Sequence, residues 1–226
     1  MVITAHPDAA SPLYPKTGRA SAVARDIVLL SEPLGVRAEA VRALRAHVMA
    51  QHVRGRRRAL AVCATRANTG CTFVAANLAV GLSQIGLNTL LVDGDLRAPS
   101  IQVLLPPPPN VGDLSLCLSS EDVAFGDCIA AEVLPDLSIM YAGVSATPPP
   151  ELLAGDRFKS LMDFCLREFD VTIVAGRTDV ETAAVGHGVA GIAEQISQGD
   201  TQLFIVHQHA GQRRRTYHAD GDIGRQ

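Results

Sequence analysis

Short, uninterrupted apolar runs alternate along the chain with longer stretches in which apolar residues recur every three or four positions. The apolar runs predict buried strands at Ala59–Ala64, Asn88–Val92, Leu137–Tyr141, Asp170–Val174 and Gln202–Val206. The periodic stretches predict helices over Arg37–His52, Val74–Ile85 and Pro150–Phe169, short helices within 112–130 and a helical patch at 181–196. Because strands and helices alternate at the spacing of right-handed β-α-β units, we expect an α/β fold, a doubly wound, mostly parallel sheet flanked by helices.

The two ends of the chain lack this pattern. Residues 1–34 are rich in Pro, Ser and Ala with weak periodicity, which predicts a flexible N-terminal arm. Residues 35–210 would form the domain, and residues 211–226 a polar C-terminal tail. Inside the domain, the four consecutive prolines Pro106–Pro109 predict a stiff turn of polyproline type.

Composition narrows the class of protein. The 226 residues are 47% hydrophobic but only 4% aromatic, which suits a helix-covered parallel sheet. The formal net charge of −3 argues against a dedicated nucleic-acid binder. The five cysteines form no C-x-x-C pair, the N-terminus does not read as a signal peptide, and polar residues break the longest apolar stretch, Thr72–Val92. Together these features predict a cytoplasmic protein.

The most informative segment is ATRANTGCTFVAANLA, residues 64–79. Its outline is that of a phosphate-binding loop, G-x-x-x-x-G-K-[ST], in which backbone N–H groups cradle phosphates, the Lys reaches the β/γ-phosphates and the hydroxyl holds Mg²⁺. Gly70 and Thr72 are in register with this pattern, whereas Cys71 takes the place of the lysine. A position at a helix N-terminus would lower the pKa of Cys71.

The pattern also predicts where a ligand would bind. In a doubly wound sheet the ligand crevice lies at the C-terminal ends of the strands. The loop after the first strand, Asp93 after the second and Ala175 after the strand DVTIV are therefore expected to line one pocket.

Several motifs in one order resemble the bacterial tyrosine kinases of capsule and exopolysaccharide export (BY-kinases), which are relatives of the MinD/ParA ATPases. The matching residues are Glu39, Arg42 and Arg45 for E-x-x-R-x-x-R, Val74–Ala79 for V-A-A-N-L-A, and Asp93, Asp95, Arg97 and Pro99 for D-x-D-x-R-x-P. Segments 135–143 and 149–155 look like the family's later strand and the start of its long helix. The resemblance spans roughly residues 32–207.

The resemblance implies an ATP-dependent tyrosine autokinase and gives roles to individual residues. Catalysis would fall to Asp93 and Asp95, and Mg²⁺ would be held by Thr72 and Asp93. In the family the E-x-x-R-x-x-R segment makes subunit contacts in a ring, a role that falls here to Glu39, Arg42 and Arg45. The phosphates of ATP or ADP would be bound by Arg66, Asn68, Thr69, Gly70, Cys71 and Thr72.

The departures from the family pattern fall on these same positions. The family's lysine is Cys71, its loop glycine is Asn68, and the acid that follows its second strand end is Ala175. The tyrosine-rich tail is absent, since the chain has three tyrosines, and the chain ends short of the last helix and strand of such domains. Without the cation and one acid, little remains to stabilise the charge of a transferring phosphoryl group. Binding of ATP or ADP with Mg²⁺ is therefore expected to be weak or lost.

The leading hypothesis is a pseudokinase of exopolysaccharide or capsule assembly. It would form a homo-oligomeric ring and dock to a membrane chain-length regulator, a polysaccharide co-polymerase, at the inner face of the plasma membrane. Two alternatives stay open: an active kinase in which Arg66 substitutes for the lysine, and a MinD/ParA-like positioning ATPase. The basic clusters Arg54–Arg58 and Arg213–Arg215 are interpreted as solvated surface, with contact to anionic lipid as the alternative.

Overall fold

A computed structural model of the chain describes residues 25–50, 58–64, 70–144, 148–177 and 201–206. Its helices are α1 (Val28–Ser31), α2 (Val36–Val48), α3 (Cys71–Ser83), α4 (Ile101–Leu104), α5 (Leu114–Ser119), α6 (Pro149–Ala154) and α7 (Asp156–Glu168), with a 3₁₀ turn at Phe125–Cys128. Its strands are β1 (Ala59–Ala64), β2 (Thr89–Asp93), β3 (Ala130–Leu134), β4 (Leu137–Met140), β5 (Val171–Arg177) and β6 (Thr201–Val206). The helical patch predicted at 181–196 and the cluster Arg213–Arg215 lie outside the described residues.

The described strands form one sheet in the order β3-β4-β2-β5-β1-β6. All neighbours run parallel except β3, which pairs antiparallel with β4. The doubly wound, mostly parallel sheet predicted from the sequence is thus confirmed. In the register of the central strands, Ala175 of β5 pairs with Val62 of β1 on one side and with Asp93 of β2 on the other. The C-terminal ends of these three strands therefore meet at one edge.

Each face of the sheet is covered by its own set of helices. Helices α1, α2 and α3 pack on the face that carries Leu60, Leu91 and Ile173. Helices α5, α6 and α7 pack on the opposite face, against the alternate residues of the same strands, such as Ala61 and Val174. Strands buried on both faces have uninterrupted apolar sequences, which explains why the sequence pattern located them.

Helix α3 lies at the centre of one face and is buried nearly all round. Of its 13 residues, 10 are buried, including the polar Asn77 and Ser83. The helix was predicted over Val74–Ile85 from one apolar stripe (Val74, Leu78, Leu82 and Ile85), but its buried surface is wider than that stripe. Ile85, at 45% exposure, lies beyond the end of the helix. A helix hydrophobic on all sides belongs in a core.

The N-terminal arm predicted over residues 1–34 is too long at its C-terminal end. Ile27 and Val28 are fully buried, and α1 lies against α3. The Val28 N–H donates to Asn77 Oδ1 at 2.8 Å, and Asn77 Nδ2 donates to the Asp26 carbonyl at 2.8 Å. This single buried amide satisfies backbone groups that would otherwise be desolvated without a partner, so the packed region includes residues from at least Asp26 onward.

One other predicted element needs correction, and one strand was not predicted. The long helix expected over Pro150–Phe169 is two helices, because Gly155 adopts an extended conformation (φ −73°, ψ 157°) between α6 and α7. The short helices predicted within 112–130 are confirmed as α5 and the 3₁₀ turn, whereas strand β3, which follows them, was not predicted. Strand β3 returns to β4 through a tight turn at Pro135 and Asp136, and Asp136 takes a positive φ of 58°.

Among the helices that the structure describes, none combines the length and the apolar character needed to cross a lipid bilayer.

Candidate functional site

The candidate site begins where the connection after β1 enters α3. Gly70 is the N-cap of α3 and has φ +84°, a left-handed conformation that favours glycine over other residues. The backbone conformation at this position therefore explains why the second residue of the loop pattern's glycine pair is a glycine. Arg66, Asn68 and Thr69 lie outside the described residues, so their predicted phosphate contacts stay predictions.

Cys71, in the lysine position, points into the sheet. Its Sγ lies 3.0 Å from the Val62 carbonyl oxygen and 3.3 Å from that of Gly176, so the thiol can donate to the backbone of β1 or β5. Burial raises the pKa of Cys71 to about 11, the contact with the Gly176 backbone lowers it, and the nearby Asp95 and Asp93 raise it further. The expected lowering by the helix N-terminus is wrong, because desolvation outweighs it. Cys71 is therefore a neutral thiol at physiological pH.

Thr72, the hydroxyl residue of the loop pattern, is bound to a second hydroxyl. Its Oγ1 lies 2.7 Å from Oγ of Ser100, the N-cap residue of α4. Ser100 was not among the site residues predicted from the sequence, although it directly follows Pro99 of the D-x-D-x-R-x-P motif. A serine just before a short apolar helical segment is a helix-start signal and could have identified it.

Asp93 lies at the end of β2, as predicted, and is almost fully buried, with 2% exposure. Its Oδ2 accepts hydrogen bonds from the N–H groups of Ser100 (2.9 Å) and Ile101 (3.0 Å), and its Oδ1 accepts from the N–H of Asp95 (3.1 Å). Burial raises the pKa of Asp93, and the three N–H donors oppose that shift. The carboxylate therefore holds the start of α4 against the sheet, in addition to any role toward a ligand.

Asp95 lies two residues further along, in the loop that leaves β2. It is half-buried, and its Oδ1 accepts the Ala98 N–H at 3.0 Å. Both acids of the D-x-D pattern thus order this loop through backbone N–H groups, a common use of Asp in turns.

Ala175 lies on β5, beside the end of β2. It is paired in register with Asp93, and its carbonyl accepts the N–H of Gly94 at 2.7 Å. A Cβ on Gly94 would lie 3.1 Å from the Ala175 oxygen, so the glycine permits this close approach. The sequence prediction that Asp93 and Ala175 share one edge of the sheet agrees with this register.

The E-x-x-R-x-x-R residues lie on α2, away from this edge. Glu39 is exposed and pairs with Arg42 across 3.4 Å, and Arg42 also donates to the Pro33 carbonyl. Arg45 donates to the Gly81 carbonyl of α3 at 3.1 Å. Arg45 therefore has a contact within its own chain, whereas the Glu39 side chain, 77% exposed, is open to a partner.

The described residues supply only part of what a Mg²⁺–triphosphate group needs. The hydroxyl of Thr72 and the carboxylate of Asp93 have the oxygen chemistry that Mg²⁺ prefers. Both already have partners in the fold, however, and the thiol at position 71 carries no positive charge. Within the described residues, no cluster of three or more His, Cys, Asp or Glu side chains is arranged to hold a metal ion. These described groups therefore offer oxygen ligands for a metal ion but, at position 71, no positive charge for a phosphate.

Comparison with curated proteins finds relatives among bacterial tyrosine kinases. The chain is 25% identical over 158 residues to the tyrosine-protein kinase YwqD of Bacillus subtilis, covering 70% of this chain and 66% of YwqD. It is 28% identical over 120 residues to the succinoglycan biosynthesis transport protein ExoP of Rhizobium meliloti, covering 52% of this chain and 15% of ExoP. The chain thus spans less than two thirds of the length of these relatives. No protein-family model matches the chain.

Solved structures show the same relationship at the level of the fold. The kinase domain of the Escherichia coli tyrosine kinase ETK superposes with a TM-score of 0.69 at 23% identity, over 83% of this chain and 69% of that domain. The septum site-determining protein MinD of Pyrococcus horikoshii, complexed with Mg-ADP, gives a TM-score of 0.51 at 15% identity, over 66% of this chain and 68% of that one. The chain is therefore similar in sequence to bacterial tyrosine-protein kinases and has the fold of their kinase domains.

Proposed function

We propose that this chain acts in the assembly and export of an exopolysaccharide or capsule, as a pseudokinase that works by assembly and docking. The link to polysaccharide comes from the similarity to ExoP, whose name places that protein in succinoglycan biosynthesis. The link to kinases comes from YwqD and from the fold of the ETK kinase domain. Because the chain covers only part of these relatives, the role of the whole protein is inferred.

The observation that carries the pseudokinase proposal is the environment of Cys71. A lysine at this position would bring a charge-assisted contact to phosphate, worth about 1.5–3 kcal/mol. The Cys71 thiol is neutral and lies within hydrogen-bonding distance of the Val62 and Gly176 carbonyls inside the sheet. Loss of one preorganised group at a transition state costs about 10²–10³ in rate.

The acid expected at position 175 is also missing. Ala175 stands where the family resemblance implies a carboxylate that would orient Mg²⁺ or its water, directly opposite Asp93. With both the cation and this acid replaced, nucleotide binding is expected to be weak or lost. Asp93 then acts mainly by accepting the N–H groups of Ser100 and Ile101 at the start of α4.

The proposed assembly surface is the exposed side of α2 and the turn before it. Leu34 and Val36 are 98% and 88% exposed, and Glu39 follows on the same helix. Exposed apolar residues that lie close together are the kind of surface that a protein interface covers. Following the family resemblance, we assign this surface to a second copy of the chain in a ring, and infer a membrane chain-length regulator as the further partner. The chain would then lie at the inner face of the plasma membrane.

The test is isothermal titration of the purified chain with Mg-ADP, together with incorporation of labelled phosphate from ATP. We expect neither micromolar binding nor incorporation. The matched variants are Cys71→Lys, which restores the charge, and Cys71→Ser, which changes the side chain without adding charge. Only Cys71→Lys should gain affinity. Micromolar binding together with phosphate incorporation by the unmodified chain would overturn the pseudokinase proposal.

The alternative of an active enzyme is favoured by the retained parts of the site. Gly70 has a left-handed conformation, Thr72 lies in the first turn of α3, and Asp93 ends β2. If Arg66 supplies the missing charge, the unmodified chain has a measurable ATPase, Arg66→Ala abolishes it and Cys71→Lys improves it. If the site is inert, Arg66→Ala has no activity to remove.

A further inference from the structure

The four prolines Pro106–Pro109 form an exposed segment fixed at both ends. Pro106, Pro107 and Pro109 are exposed and Pro108 is half-buried. Before the prolines, Leu105 is buried and its carbonyl accepts the Tyr141 hydroxyl at 2.9 Å. After them, the N–H of Gly112 donates to the Asp127 carbonyl at 3.1 Å. The segment is thus held on the surface by two anchors seven residues apart (112 − 105).

Proline chemistry fixes the shape of this segment. Each ring locks φ near about −65° and removes a backbone N–H, so consecutive prolines adopt the extended polyproline II conformation. Their carbonyls have no N–H partner within such a helix and remain available to an external donor. A segment restricted by its proline rings loses less entropy on binding than a flexible one.

The flanks of the prolines are apolar and uncharged. Val103, three residues before Pro106, is 70% exposed although it is hydrophobic. Residues 98–112 contain no Asp, Glu, Lys, Arg or His. A stiff surface connection would need neither the exposed valine nor four prolines. Recognition here would depend on apolar contact and on carbonyl acceptors.

We propose that Val103 and Pro106–Pro109 form a docking segment for a partner protein with an aromatic-lined groove. This is the chemistry by which such grooves recognise polyproline II helices: rings pack on the proline faces, and donors in the groove bind the carbonyls. The proposal goes beyond the proposed function and holds whether or not the crevice binds nucleotide. Val103 is part of α4, and Pro106 follows α4 after one residue, Leu105. The first N–H of α4 donates to Asp93, so α4 connects the prolines to the end of β2.

The test uses the full chain and a purified EVH1 domain, a polyproline-binding module, as the probe. Binding is measured by isothermal titration at low and high salt. We expect binding that changes little with salt and weakens at least about tenfold in the double variant Pro107→Ala/Pro109→Ala. The control is Pro148→Ala, which removes an exposed proline at the start of α6. It should bind as the unmodified chain does.

Thermal unfolding of the same samples shows whether lost binding comes from lost folding. Replacement of exposed prolines raises the entropy of the unfolded chain and should lower stability by about 0.4–1 kcal/mol per site. Absence of probe binding by the unmodified folded chain would overturn the proposal. So would equal binding by the double variant, or binding that high salt abolishes.

Discussion

Asp93 and Ala175 lie directly opposite each other in neighbouring strands, and the residue after Asp93 donates its N–H to the Ala175 carbonyl at 2.7 Å. A carboxylate at position 175 would stand beside the buried Asp93, and the two like charges would raise each other's pKa. In a complete site, a lysine and Mg²⁺ would compensate that repulsion. Here position 71 carries a neutral thiol and position 175 no acid, so no second carboxylate lies opposite Asp93 in the neighbouring strand.

Asp93 is expected to stabilise the fold even without a ligand. In Asp93→Asn, one of the two acceptor oxygens becomes an NH₂ group that faces backbone N–H donors. The loss of these hydrogen bonds should lower the free energy of unfolding by about 1–3 kcal/mol, measured by urea denaturation. The control is Asp136→Asn, an exposed turn residue at φ 58° where Asn is tolerated, and it should change stability by less than about 0.5 kcal/mol. A similar loss of stability in both variants would show that the hydrogen bonds of Asp93 do not specifically stabilise the fold.

The pH dependence of stability should report the environment of Asp93. Burial raises its pKa above the ordinary value of 3.8 despite the opposing N–H groups, so the folded state binds the proton more tightly than the unfolded state. The stabilising contribution of this carboxyl is therefore complete below that value and is lost as the pH rises through the folded pKa. Since Asn does not titrate, the stability difference between the unmodified chain and Asp93→Asn should shrink from about pH 4 upward and then become constant.

Urea denaturation of both proteins from about pH 4 to 8 makes this measurement. A difference that grows with pH would mean that the N–H groups outweigh desolvation and that the pKa of Asp93 is lowered.

The parts of the fold that the sequence predicted well are those where burial alone decides the structure. Strand β1 was predicted to the residue as Ala59–Ala64, because a central parallel strand must be apolar on both faces. Strand β3 was missed because it is an edge strand with exposed positions and so lacks an apolar run. It forms by pairing with β4, and its own sequence does not show that pairing. The break at Gly155 was missed because a single glycine is tolerated in a helical pattern and tertiary packing decides whether the helix continues.

The neighbourhood of Asp93 and Ala175 was predictable from the sequence, but the side-chain contacts around them were not. The rule that ligand crevices lie at the C-terminal ends of strands brought Asp93 and Ala175 together correctly. No pattern could show that Thr72 bonds to Ser100, or that the thiol of Cys71 turns toward β1, because both depend on distances between separate elements. The burial that raises the pKa of Cys71 has the same tertiary origin.

The cysteines should be unreactive in the folded chain. All five are buried, and at pH 8 the pKa of about 11 leaves Cys71 as thiolate in about one molecule in a thousand, a ratio that follows from the three-unit gap. Titration with Ellman's reagent should therefore detect no rapidly reacting thiol in buffer and five in urea. Rapid labelling at Cys71, located by mass spectrometry, would contradict the position of its thiol within the sheet.

Two buried threonines offer a matched test of hydrogen bonding in the core. Thr172 and Thr89 are both fully buried, but Thr89 Oγ1 donates to the Leu87 carbonyl at 2.8 Å, whereas Thr172 Oγ1 finds no partner among the described residues. Replacing Thr172 by Val removes an unsatisfied hydroxyl and should raise the free energy of unfolding by about 1 kcal/mol. Thr89→Val should lower it by about 0.5–1.5 kcal/mol. Equal effects in chemical denaturation would indicate that the Thr172 hydroxyl is satisfied.

Residues of the E-x-x-R-x-x-R segment should separate into a folding role and an assembly role. Arg45 donates to the Gly81 carbonyl, so Arg45→Ala should lower the free energy of unfolding by about 0.5–1.5 kcal/mol. Glu39 is exposed, and its pair with Arg42 is worth little to stability, about 0–1 kcal/mol. Glu39→Arg should therefore leave stability nearly unchanged and reduce the mass of the native particle, measured by light scattering.

The double variant Glu39→Arg/Arg42→Glu restores an opposite-charge pair with the two residues exchanged. If their pairing within one chain is what matters, the double variant should recover the mass of the unmodified particle. If each residue instead meets a fixed charge on the neighbouring copy, the mass stays low. A fall in particle mass for Arg45→Ala at unchanged stability would place Arg45 at the subunit interface and contradict its assignment to the contact between α2 and α3.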